Sequence, residues 1–425
     1  MLDTSMLDAE VATARQAYVE AHPLSAAADV RAREVMPGGN TRSVLHFDPF
    51  PFRVASAEGS VVVDIDGHRY VDFCGNYTAG LLGHSPPRLK QAIIDALDQG
   101  WSIGATHERE IELAELVCAR FHSIDQVRFT NSGTEANLMA VGTALHHSGR
   151  TGVGVFDHGY HGGVLSFGPG GDSPDHPLNV PHRFVVEAFN DLTALDRLFS
   201  DNDLGCVLIE AVQGSGGCRP ASQQFLSELA RRCDEHGTVL ILDEVMTSRL
   251  APGGAQERFG ITPHLTTLGK YLGGGMSFGA FGGSAAVMAA FDPIQGGELT
   301  QAGTFNNNVV SMAAAVATLR YELDPEIIQA VNARGDRLRQ RLNNCFEQNN
   351  QPFRVTGMGS MLCFHADDPR LLELLFHHLL TEGIYVARRG FMALSLALTD
   401  DHIDRLVEGC TRWAADRGTT MLTAS

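Results

Sequence analysis

Lysine is almost missing from this chain. Of its 32 basic residues only two are lysines, Lys90 and Lys270, which leaves 32 − 2 = 30 arginines. The plain reading of that scarcity is a codon bias that exchanges Lys for Arg. It also leaves any lysine chemistry with two candidate positions. Basic runs are missing too, and the formal net charge is −18, so a nucleic-acid groove lined with cations is not expected. No uninterrupted apolar run approaches the roughly 18 residues that span a bilayer. The opening Met1-Leu2-Asp3 puts an acid where a signal peptide needs positive charge. None of the eight cysteines forms a CxxC pair, which argues against zinc ribbons and thioredoxin-like redox sites. Several lie in apolar runs, as Cys206 does in Cys-Val-Leu-Ile, and read as free buried thiols of a reducing cytoplasm.

Glycine, by contrast, is abundant. The chain has 45 in 425 residues, above the usual ~7%, which suggests tight turns and close backbone approaches to a ligand. A 44% hydrophobic and 19% charged composition is globular, and the length suits two or three domains. Residues 6–36 read as helical. Residues 60–73 alternate around Asp66-Gly67 as a hairpin, and Ser85-Pro86 offers an N-cap and a first-turn proline to the helix that follows. Residues 107–121 form a second amphipathic helix. From about 125 to 285 the pattern changes. Apolar runs at 127–130, 153–156, 184–186, 206–210, 239–243 and 265–268 alternate with helical stretches at 134–147 and 222–236. Runs without alternation belong to strands covered on both faces, and the succession is that of a largely parallel sheet. After residue 321 come a helix (327–346), a strand-like segment (353–364), a helix (369–382), a strand-like segment (384–397) and a last helix. Together they read as a smaller α+β domain.

Polar residues cluster just after the apolar runs, where ligands sit in an open α/β sheet. Lys270 ends one run and is followed by Gly273-Gly274-Gly275. Desolvation there would free its amine for Schiff-base formation; the alternative is an exposed loop lysine. Asp243 ends Val-Leu-Ile-Leu and needs a partner. That partner is either a protonated ring nitrogen or a cap or ion pair. Asn131-Ser132-Gly133-Thr134 sits between a strand and a helix, where backbone N–H groups suit a phosphate; it also suits a plain helix cap. His158 and His161 have a spacing compatible with metal ligands, but no third ligand has recognisable spacing, so no metal is expected. Tyr160 among glycines reads better as a stacking platform for a flat cofactor. Arg42 and Arg389 stand out by context as carboxylate binders, against the alternative of surface cations.

As a set these motifs resemble the class III aminotransferases of pyridoxal-phosphate fold type I. The likeness covers about residues 30 to 410 and is strongest in Asp243-Glu244-Val245-Met246-Thr247-Ser248-Arg249, Thr266-Thr267-Leu268-Gly269-Lys270, Gly273-Gly274-Gly275-Met276 and Gln301-Ala302-Gly303-Thr304-Phe305-Asn306-Asn307-Asn308. Within that class the chain looks most like the β-amino acid transaminases that take β-phenylalanine-like substrates. The glutamate-1-semialdehyde aminomutases and the amine or ω-amino acid transaminases are the alternatives. Asn40-Thr41-Arg42-Ser43-Val44 and Gly303-Thr304-Phe305-Asn306-Asn307-Asn308-Val309 differ from the aminomutase pattern.

The resemblance implies a large, mostly parallel α/β domain at 66–320, a small α+β domain at 321–425, and an N-terminal helical segment at 1–65 packing with the small domain. It implies pyridoxal 5′-phosphate as cofactor and Lys270 as the Schiff-base lysine that also shuttles a proton. It puts Asp243 on the pyridine nitrogen, Val245 and Tyr160 on opposite ring faces, and Ser132, Gly133 and Thr134 on the phosphate. Gln213 falls near the 3′-oxygen, and Thr304 reaches the phosphate of a neighbouring subunit, so a homodimer with interfacial sites is implied. Arg42 takes the β-amino acid's carboxylate, Arg389 the distant carboxylate of 2-oxoglutarate, and Tyr77 lines the pocket. The implied reaction moves an amino group from donor to oxo acid with ping-pong kinetics. The sequence departs from the family pattern at Asn76, at Ala211 and across residues 102–108.

Overall fold

The computed structural model describes residues 4–168, 176–200 and 203–423. They fall into two compact units: Pro87–Asn332, and Met1–Pro86 with Ala333–Ser425.

The first unit is built on a seven-stranded sheet. Its strands are β1 (Gln126–Thr130), β2 (Gly152–Phe156), β3 (Arg183–Glu187), β4 (Leu204–Ile209), β5 (Val239–Asp243), β6 (Leu265–Gly269) and β7 (Gly279–Gly283). Their spatial order is β1-β7-β6-β5-β4-β2-β3. The pairs from β6 through β3 are parallel, whereas β7 runs antiparallel to both of its neighbours. Strands β2, β4, β5, β6 and β7 are buried at every position, and the two edge strands are not. That is why the inner runs are apolar without alternation. Helix α1 (Gly133–Ser148) is capped by Ser132, whose hydroxyl accepts from the Glu135 N–H, and is closed by left-handed Gly149. Its Ala136, Ala140, Val141 and Ala144 pack against Val153, Cys206, Ile241 and Phe281. Helix α2 (Gln223–His236) has the same kind of boundaries, a Ser222 cap and left-handed Gly237.

Six of the seven strands fall where the apolar runs put them. The seventh, Gly-Ala-Phe-Gly-Gly, carries no strand signal because glycine is depleted in strands. Its glycines answer to packing: a Cβ at Gly279 would collide with the Ser132 carbonyl, so only glycine lets β7 lie this close to the turn ahead of α1. Ser85 does not cap the helix that follows it. It is left-handed (φ 54°) and the following helix starts at Pro87, so Ser85 is a turn residue one step outside the helix and not its N-cap.

The second unit opens with helices Thr4–Ala21 and Pro23–Val35, so the expected single N-terminal helix is interrupted ahead of Pro23. Strands Val54–Glu58, Val61–Asp64 and Arg69–Asp72 form an antiparallel sheet, and Ile384–Tyr385 adds to it in parallel. The Asp66-Gly67 hairpin is tied by Asp64, which accepts from the His68 N–H at 2.8 Å. The strand-like segment 353–364 is a hairpin of Phe353–Met358 and Met361–Ala366, joined by Phe391–Ala393. Phe47 packs edge-on against Phe376 and Phe52 against Tyr385, with ring centroids about 5 Å apart. Among the described residues no helix is long and apolar enough to cross a membrane, and all eight cysteines are free.

The β7 packing predicts that Gly279→Ala destabilises the fold by about 2–3 kcal/mol. Gly142→Ala, on an open stretch of α1 with nothing near its missing Cβ, raises stability by about 0.5–1 kcal/mol. Thermal unfolding midpoints of the two variants check this; equal midpoints contradict it.

Candidate active site

Parallel register brings distant residues to one edge of the sheet. Leu242 pairs with Ile209 and Asp243 with Thr267, so β4, β5 and β6 end side by side. Glu210, Asp243 and Lys270 therefore emerge together. On the other side of β6, Gly269 pairs with Gly279 and Gly279 with Thr130, which brings in Asn131–Thr134.

Asp243 is buried, and donors surround its carboxylate. Oδ2 accepts from Asn137 Nδ2 and from His161 Nδ1, each at 2.8 Å; Oδ1 accepts from the Val245 N–H at 3.0 Å. Asn137 is itself fixed, donating to the His161 carbonyl at 2.9 Å and accepting from Thr267 Oγ1 at 2.6 Å. With one donor on it, Oδ1 keeps acceptor capacity for one more. Glu210 is also buried. Its two oxygens accept from the N–H groups of Tyr160 and Gly214, each at 3.0 Å. Burial pushes the Glu210 carboxyl up to about 7; His161 opposes that shift and the Asp243 charge adds to it.

Val245, Gly133 and Gly269 meet. A Cβ on Gly133 would lie 2.7 Å from Val245 Cγ1, and one on Gly269 3.2 Å from the same atom. Gly162, just beyond His161, is pressed so close to Thr134 that any side chain there would clash. Ser132, Gly133, Thr134, Val245 and the start of Lys270 thus come together, next to Asp243, which accepts from the Val245 N–H. Lys270 is half-buried and left-handed at φ 53°, a conformation unusual for a residue with a Cβ. Tyr160 is 42% exposed although its N–H is anchored. Gln213 is buried, and its amide is spoken for: Nε2 donates to the Asp157 carbonyl at 2.6 Å and Oε1 accepts from Arg219 at 2.7 Å. Thr304 lies exposed on a loop held by Gln301, which donates to the Phe129 carbonyl at 2.7 Å, and by Asn306, which accepts from Asn131 at 2.9 Å.

The arrangement suits a flat, phosphorylated, cationic ring. The first turn of α1 offers unpaired N–H donors for the phosphate. A buried carboxylate with one acceptor position to spare ends a neighbouring strand, and a lysine follows the next strand end. Sequence reasoning missed Asn137, His161 as an Asp243 partner, and Thr267. The available signal was a lone Asn on the alanine face of α1.

In the other unit, Arg42, Tyr77 and Arg389 are brought together. The Arg42 and Arg389 guanidiniums stand 5.6 and 5.2 Å from the Tyr77 ring centroid. Neighbouring Arg388 instead pairs with Glu373 at 2.6 Å. Arg42 Nη1 also donates to Asn76 Oδ1 at 2.8 Å.

The family Aminotransferase class-III matches residues 45–412. The chain belongs to the class III aminotransferases: it is a pyridoxal-phosphate-dependent aminotransferase of fold type I. It is 46% identical to the beta-phenylalanine transaminase of Variovorax paradoxus over 94% of this chain and 95% of that one. The solved structure of a beta-phenylalanine aminotransferase from Variovorax paradoxus superposes with a TM-score of 0.94 at 45% identity, covering 97% of this chain and 98% of that one. An omega-transaminase from Sphaerobacter thermophilus superposes at 0.85 with 34% identity, covering 93% and 98%.

Glu210 gives a test with a definite sign. Its carboxyl holds a proton more tightly when folded than when free, so the folded chain binds more protons between the free value of about 4.5 and about 7. The stability contributed by Glu210 is therefore full below that window and falls as pH rises through it. Glu210→Gln is expected to flatten the pH dependence of unfolding between these values. Parallel wild-type and variant curves contradict the assignment.

Proposed function

We propose that this chain transfers an amino group from a β-amino acid, with an aromatic β-phenylalanine-like donor favoured, to 2-oxoglutarate or pyruvate. The observation that carries the reading is the convergence of Asp243, Lys270 and the α1 N-terminus around the Val245–Gly133–Gly269 contact. The 46% identity to a beta-phenylalanine transaminase supports the donor class.

Pyridoxal phosphate, when bound, supplies the electron sink for the bond broken at the amine-bearing carbon. In the proposed division of labour, the Gly133 and Thr134 N–H groups and the Ser132 and Thr134 hydroxyls hold the phosphate dianion. Asp243 keeps a proton on the pyridine nitrogen through the free lone pair of Oδ1. Val245 fills one ring face and Tyr160 covers the other. Gln213, stiffened by Asp157 and Arg219, borders the 3′-oxygen. Lys270 would hold the cofactor through its amine, and once released that amine would move a proton between the donor's amine-bearing carbon and cofactor C4′. Arg42 holds the donor carboxylate and Arg389 the distant carboxylate of the oxo acid; Tyr77 lines the space between them. Donor and acceptor use one site in turn, which gives ping-pong kinetics. The active form is a homodimer in which Thr304 reaches the neighbour's phosphate, and eight free thiols suit a cytoplasmic setting.

An amine transaminase is the second reading, favoured by the likeness to an omega-transaminase. Arg42 separates the two. Under the proposal Arg42→Gln raises KM for β-phenylalanine at least ~10-fold, because a carboxylate loses its charge-assisted bond; an unchanged KM favours the amine reading. Glutamate or alanine must appear only when an oxo acid is added, since product without acceptor indicates an aminomutase. Lys270→Ala is expected to abolish the borohydride-sensitive band near ~410 nm, and a retained band contradicts the lysine assignment.

A further inference from the structure

Residues 75–78 form the longest left-handed stretch of the described chain. Gly75, Asn76, Tyr77 and Thr78 have φ of 52, 44, 54 and 77° in succession. Each non-glycine residue so held costs on the order of 1 kcal/mol and persists only where its surroundings over-determine it. Here they do. The Gly75 N–H donates to Asp72 at 3.0 Å, the Gly80 N–H to the Gly75 carbonyl at 2.9 Å, and a Cβ on Gly75 would meet the Ala393 carbonyl at 2.5 Å.

The turn delivers two side chains to Arg42. Asn76 Oδ1 accepts from its guanidinium. The Tyr77 ring lies under that guanidinium and under Arg389, backed by Phe391 at 5.4 Å. The Tyr77 hydroxyl donates to the Val44 carbonyl at 3.1 Å, which ties down the loop that carries Arg42.

What Arg42 lacks is a counter-charge. In the same unit Arg15 and Arg388 pair with Glu373, and Arg33 and Arg53 with Asp29. Among the described residues Arg42 has no ion pair. Its partners are an amide and a phenol, and burial raises the Tyr77 pKa, which keeps the phenol neutral.

We infer that Asn76 and Tyr77 are positioning residues that set carboxylate specificity: they fix the Arg42 guanidinium by neutral contacts and leave its charge uncompensated for a substrate anion. This rests on the proposal that Arg42 is the donor's carboxylate anchor. Asn suits the task doubly. It tolerates the left-handed region better than most residues, and it accepts a hydrogen bond without bringing charge. An Asp at this position would bring a negative charge beside the Arg42 guanidinium.

Asp tolerates the same backbone, so Asn76→Asp changes charge with little change of shape; Asn76→Gly removes the anchor without strain. Holoenzyme of wild type, N76D, N76G and Arg42→Gln is compared by calorimetry with 3-phenylpropanoate, a carboxylate without an amine, and by KM and kcat for β-phenylalanine. Equal cofactor absorbance and unfolding midpoints verify that each variant is intact. The expected result for N76D is at least ~10-fold weaker binding and higher KM, with kcat changed less than about threefold. N76G, which keeps the charge but loses the tether, is expected to lose less. Wild-type affinity in both variants, while R42Q still weakens binding, overturns this inference alone. Wild-type affinity in R42Q overturns the reading of Arg42 and the inference with it.

Discussion

A carboxylate at the end of a wholly buried strand must find donors, and much of this chain is arranged to supply them to Asp243. Asn137 reaches it from α1, His161 from the glycine-rich loop after β2, and the Val245 N–H from the turn that follows. Each donor is held in turn. Thr267 on the neighbouring strand fixes Asn137, and Glu210 on the other neighbour fixes the loop of Tyr160. Removing one partner of a buried charge leaves the desolvation cost unopposed, of the order of 3–5 kcal/mol. The network therefore sets the spacing of β4, β5, β6 and α1 as much as it prepares a charge. The same spacing leaves no room for a Cβ at Gly279, against the Ser132 carbonyl, and crowds one at Gly133 and Gly269, against Val245.

The parallel sheet and the candidate site were legible because both follow from simple patterns. Inner strands of such a sheet are apolar throughout, and their carboxyl ends carry the polar residues. Asp243, Lys270 and Ser132 to Thr134 sit at those ends. What could not be read was set by tertiary contact. Strand β7 is hidden because its glycines answer to the Ser132 turn and not to strand propensity. Asn137 and His161 are hidden because a hydrogen bond across 106 or 82 positions leaves no local signal. The Ser85 misreading has a local cause: a Ser-Pro pair fits a cap and a turn equally well, and the left-handed φ decides for the turn. Arg388 and Arg389 could not be told apart in sequence either; Glu373 engages the first and Tyr77 lies beneath the second.

The two units treat charge in opposite ways. Around Asp243 a buried negative charge is held by three donors with one acceptor position to spare, which suits a permanent ring cation. Around Arg42 an exposed positive charge is tethered by neutral groups, which suits an anion that comes and goes. The left-handed turn at 75–78 and the left-handed Lys270 are both places where backbone strain is held by neighbouring contacts. The two strained sites coincide with the proposed substrate and cofactor roles.

The proposed chemistry depends most on Asp243 keeping a proton on the ring nitrogen of the cofactor. Nitrogen NMR of holoenzyme rebuilt with ring-labelled pyridoxal phosphate measures that directly. A protonated pyridine nitrogen is expected in the wild type across the neutral pH range, and its loss is expected in Asp243→Asn that still binds the cofactor. An unprotonated nitrogen in the wild type, or an unchanged signal in the variant, would contradict it.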